Sequence, residues 1–159
     1  MKKGLMICCL LLWGGFIFYQ GSRSVTVSQG ISDHFVNRAV ILVQKCLPSM
    51  SAATIYQILN VAIRKLAHFT EYALLGGGLF CYFKCHGQSR GNQWIYSLFI
   101  VLLLATFDEY IQLFVGRTSS VRDVLIDLAG GIGGVSVMTF MIKMIEVSKF
   151  FLKTKNSFS

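Results

Sequence analysis

The stretch WIYSLFIVLLLATFDEYIQLF, residues 94–114, decides the fold. From Trp94 to Phe107 it carries no charge, and Asp108 and Glu109 follow only near its end. About 20 residues at 1.5 Å each cross a ~30 Å hydrocarbon core. Lipid cannot hydrogen-bond an open backbone, so a segment of this kind must be helical. Three further stretches read the same way: Gly4–Tyr19, Leu66–Phe83 and Val124–Ile142. The expected fold is therefore an all-α integral membrane bundle of about four transmembrane helices.

The first stretch follows Lys2 and Lys3, the layout of a signal peptide. The residues after it, Gln20-Gly21-Ser22-Arg23, lack a small-residue cleavage pattern, so an uncleaved first helix is expected. The whole chain agrees with a membrane setting. Its 159 residues are 54% hydrophobic and 14% charged, with mean hydropathy +0.61. A soluble domain has about 25% charged residues. One transmembrane domain, 1–148, and a short basic tail, 149–159, are expected, with any disorder confined to that tail. The net charge of +8 comes from single or paired basic residues flanking apolar runs, a pattern that argues against nucleic acid. Five cysteines without framework spacing argue against a disulfide scaffold. Cys8 and Cys9 read as small buried hydrophobes.

Orientation follows from Lys and Arg. With the N-terminus cytoplasmic, the inside holds Lys2, Lys3, Lys84, Arg90, Lys143, Lys149, Lys153 and Lys155. The outside holds Arg23, Arg38, Lys45, Arg64, Lys65, Arg117 and Arg122, partly diluted over the long loop from Gln20 to Lys65. Both termini are expected in the cytoplasm. Within that loop, Ser32–Leu47 and Ser51–Ile63 are amphipathic and Pro48 separates them. Two readings stay open: a pair of interfacial helices lying on the membrane, or a single long helix from Ser51 to Phe83.

Polar residues gather where these helices meet the outer face. Arg64, Lys65, His68, Glu71 and Tyr72 form a stripe at helical spacing near the start of the second segment. Asp108, Glu109 and Gln112 lie at the end of the third, and Asp123 and Asp127 at the start of the fourth. The loop between these two segments carries Arg117. An intramembrane charge costs about 2.5–3.5 kcal/mol on insertion scales, so such residues face partners or water. Helix-locking ion pairs account for any one of them; a composite site is the economical reading of the group. Gly130 and Gly134 make a GxxxG pair that permits close helix packing.

RKLAHFTEYALLG (64–76), FDEYIQLFVGR (107–117) and DVLIDLAGGIGG (123–134) resemble the VanZ-like family of small bacterial membrane proteins. The resemblance covers roughly Met1 to Ile142. Val115 stands where many members have proline, and Asp127 where some have asparagine. The signature positions it implies are His68, Glu71, Tyr72, Asp108, Glu109, Gln112, Arg117, Asp123 and Gly130. Because the founding member is linked to teicoplanin resistance, the resemblance implies a role at the bacterial cell envelope.

Three functions compete. An outward polar site could bind a lipid, a lipid-linked cell-wall intermediate or a glycopeptide, with Arg64, Lys65, Arg117 and Arg122 holding phosphate. A membrane enzyme acting on a lipid or lipid-phosphate headgroup would draw on His68, Glu71, Glu109 or Asp123 as catalytic groups. No cofactor motif is evident and no metal site is established, although Asp108, Glu109, Asp123 and Asp127 are hard ligands that would suit Mg²⁺ or Ca²⁺. A transporter or proton relay fits least, because the polar residues keep to one face.

Overall fold

A computed structural model describes residues 2–23, 25–46, 48–116 and 119–157, with side chains described for 3–23, 36–46, 48–116 and 119–150. It contains five helices: α1 (Lys2–Gly21), α2 (Val25–Cys46), α3 (Ala52–Cys85), α4 (Arg90–Phe114) and α5 (Val121–Ser157). No strand occurs among the described residues. Three helices are long and apolar enough to cross a membrane, over Lys3–Gly21, Arg90–Phe114 and Val121–Phe150. The stretch 66–83 belongs to α3, whose polar stripe and glycines dilute its apolar character.

Of the two readings left open for residues 51–83, the structure contains the single long helix. The Ser51 hydroxyl caps its start by accepting the Thr54 backbone N–H at 3.2 Å. At 1.5 Å per residue a helix of 34 residues runs about 51 Å, well beyond one hydrocarbon core. The surplus has its own packing: Val36 and Val40 of α2 bury against Ile55, with Leu59 and Ile63 beside them. The backbone of α5 also continues to Ser157, through most of the segment read as a tail.

α3 is the hub, in contact with every other helix. It shares a core of Tyr72, Leu75 and Leu79 with Ile17 of α1 and Val101 and Ala105 of α4. Against α5 the two backbones touch. A Cβ at Gly130 would strike the Phe69 carbonyl, and one at Gly134 would lie on the Ala73 carbonyl oxygen. Four residues separate each partner on both helices, so α3 and α5 run parallel, one face on one face. Around this bundle the outward side chains are apolar: Leu11, Leu12, Phe99, Leu103 and Phe140 are all exposed. Such a continuous apolar exterior suits lipid.

One expectation is corrected here. Cys8 and Cys9 are exposed rather than buried. α1 meets the bundle through Leu10, Trp13 and Ile17, which turns both thiols outward.

Candidate functional site

The same end of the bundle receives the start of α5, the end of α4 and the middle of α3, and a chamber of about 270 Å³ opens between them. α3 lines it with Arg64, Lys65 and His68, α4 with Glu109 and Gln112, and α5 with Asp123 and Asp127. Val61 and Ile126 add apolar wall. Residues three and four apart share a helix face, so each helix turns one polar stripe inward and keeps apolar side chains for the outside.

Each carboxylate has a different situation. Asp123 accepts from Lys65 Nζ at 2.7 Å, a half-exposed pair. Glu109 is nearly buried, and its Oε2 accepts the Ser120 backbone N–H at 2.8 Å, which ties the α4–α5 connection to α4. Asp108 is fully buried, and its Oδ2 accepts from Gln112 Nε2 at 3.0 Å one turn away. Asp127, also fully buried, lies 3.5 Å from His68 Nδ1 through Oδ1. Asp108 Oδ2 is 4.0 Å from the same nitrogen. Asp108 Oδ1, both Asp127 oxygens and His68 Nδ1 have no hydrogen-bond partner among the described residues. Unserved buried carboxylate oxygens are costly, several kcal/mol per ion even after relaxation.

A family model described as VanZ/LLP1 matches residues 6–152. The chain belongs to this family. No curated protein and no solved structure matches it.

Within this VanZ/LLP1 chain the predicted site residues do not all meet. Glu71 lines a groove between α1 and α3, beside Trp13 and Phe16, while its carboxylate stays within electrostatic reach of His68, Asp108 and Asp127. Its backbone carbonyl accepts the Trp13 indole N–H at 3.0 Å. Tyr72 is wholly buried in the core, its hydroxyl without a hydrogen-bond partner yet within electrostatic reach of Asp108 and Asp127. Arg122 is exposed, and Arg117 lies outside the described residues. Gly130 and Gly134 pack on α3.

Two contributors escaped sequence reasoning. Gly21, at the end of α1, leaves the space that Asp108 Oδ1 occupies, since a Cβ there would fall on that oxygen. Trp13 anchors α1 to α3. Nothing local marks either residue, because both contacts join helices far apart in the chain. The candidate site in this chain is thus a chamber with a basic flank on α3, beside a His–Asp–Asp group formed by three helices.

Proposed function

We propose that this VanZ/LLP1 protein resides in the bacterial cell membrane and binds an anionic ligand at the outer face, a lipid headgroup or lipid-linked cell-wall intermediate. One observation carries the reading: Arg64 and Lys65 line a chamber of about 270 Å³ opposite Gln112 and the carboxylates of Glu109, Asp123 and Asp127, and because Asp123 already pairs Lys65, Arg64 is the principal contact for an anion. Charge-assisted contacts to phosphate suit that flank. An oxygen-rich glycopeptide core is the second ligand class it could engage, and altered teicoplanin susceptibility would follow.

The reading takes α3 as a fourth crossing. Its support is the parallel contact of α3 with α5 from Phe69 and Gly130 to Gly77 and Met138. A helix held along a membrane span over that length shares its depth. The chamber then faces outward and both termini are cytoplasmic, in keeping with the distribution of Lys and Arg. α2 and the first turns of α3 rest at the outer interface.

Teicoplanin and vancomycin susceptibility is measured in a Gram-positive host expressing wild type, Glu109→Gln, Arg64→Gln or Asp123→Asn at matched membrane levels. Raised teicoplanin tolerance for wild type alone supports the reading. No effect of wild type removes the resistance role. Binding of a labelled anionic lipid to the purified protein then tests the chamber directly, with a neutral lipid as control.

A second reading, a membrane enzyme acting on a lipid-phosphate headgroup, draws on His68 Nδ1, which stands at the chamber wall without a hydrogen-bond partner. His68 is better placed than Glu109 as a general base, because Glu109 already serves Ser120. Headgroup release by wild type but not His68→Ala tests it.

A further inference from the structure

His68 and Asp127 at the chamber wall, and Asp108 buried beside them, hold donors that the hydrogen bonds leave unused. Glu109 Oε2 is engaged by Ser120 and Asp123 Oδ1 by Lys65, and the Asp123 side chain is a third exposed, so both carboxylates already have a partner or water. Asp108 and Asp127 differ: both are fully buried, and three of their four carboxylate oxygens lack a hydrogen-bond partner. His68 Nδ1 faces both of them and also lacks one. A protonated imidazole offers a single hydrogen at Nδ1, which can serve only one of those oxygens.

We propose that His68, Asp108 and Asp127 form a site for a divalent first-row transition ion, Zn²⁺ or Mn²⁺. Their donor atoms lie within 4.8 Å of one another. Ligand atoms about 2.1 Å from a tetrahedral ion are roughly 3.4 Å apart, so the 3.5 Å and 4.0 Å separations from His68 Nδ1 need a small contraction, and the two carboxylates, within 4.8 Å of each other, close the third edge by side-chain rotation. One imidazole nitrogen with two carboxylates is a mixed donor set, softer than the all-oxygen cage that Mg²⁺ or Ca²⁺ prefers. Three protein ligands leave a coordination position, and His68 also lines the chamber, so that position opens toward it. Gln112 orients Asp108 by its hydrogen bond to Oδ2, and Gly21 leaves room for Oδ1. The site stands on these contacts alone and does not require the anion-binding reading.

Full-length protein purified in detergent is stripped with chelator, dialysed against Zn²⁺ or Mn²⁺, and assayed for bound metal by plasma mass spectrometry. Wild type is expected to retain about one ion per chain and to gain thermal stability on loading. His68→Ala, Asp108→Asn and Asp127→Asn should lose both effects, whereas Glu146→Gln, at the far end of the bundle, should keep them. Gln112→Leu should weaken binding by about 10–100-fold. The asparagine variants preserve volume, and their elution profile checks that they fold. Wild type that retains no more metal than the dialysis buffer overturns the proposal, as do folded His68, Asp108 and Asp127 variants that bind as wild type does. Anion binding is read in a separate assay, so its failure leaves this result intact.

Discussion

Lys65 shows how position divides binding from stability. Its pair with Asp123 is half exposed, at 42% and 33%. Exposed ion pairs contribute about 0–1 kcal/mol. Lys65→Gln should therefore leave the unfolding midpoint in detergent nearly unchanged while weakening anionic-lipid binding by about tenfold, the loss of one charge-assisted contact. A large fall in stability would make Lys65 a structural strut instead. Gly21 makes the opposite case. Its missing Cβ is the space filled by Asp108 Oδ1. Gly21→Ala should displace that carboxylate or the end of α1 and destabilise the protein by about 1–3 kcal/mol, the usual cost of overpacking. Thermal unfolding beside wild type checks it.

Among the helices, the α3–α5 contact sets the distance that allows the chamber to form. Gly134 meets the Ala73 carbonyl where no side chain fits. Gly134→Leu should cost several kcal/mol, because two backbones must separate and the packing between them is lost. Gly14 and Gly15 of α1 have open space around their Cβ positions. Alanine at either should be neutral or stabilising by up to about 1 kcal/mol, since glycine is the poorer helix former. Unfolding in graded detergent mixtures compares the three. Equal effects at all three glycines would mean that the α3–α5 contact is unimportant. At the opposite end, Lys84 and Arg90 meet Glu146 at 3.1 Å and 3.7 Å, joining α3, α4 and α5 on the surface.

For the molecule as a whole, sidedness is the decisive property. If the chamber faces outward, Ser119→Cys at the α4–α5 connection should react with a membrane-impermeant thiol reagent in intact cells, in a background lacking the native cysteines. Cysteine at Gln88, between α3 and α4, should react only after the cells are opened. The reverse pattern would place the chamber in the cytoplasm and end the envelope reading. Labelling at both positions in intact cells would mean that α4 does not cross. The five-helix arrangement makes each outcome informative, because these two connections lie at opposite ends of the bundle.

Composition and period were enough to establish a helical membrane protein. Apolar runs of bilayer length can be satisfied only by helices, and this holds before any contact is known. The inward stripes were legible for the same reason: residues three and four apart share a face whatever the neighbours do. The strings around His68, Asp108 and Asp123 also carried the family. Tertiary structure alone decided which members of a stripe meet. His68 and Glu71 are three residues apart, about 60° round the helix, and that rotation turns one toward α4 and α5 and the other toward α1. The glycine pair on α5 could be read as a contact surface, but its partner, the backbone of α3, could not. Nor could Gly21, whose role arises only because the end of α1 reaches Asp108. Contacts between distant helices depend on how the bundle closes, and no local pattern records that closure.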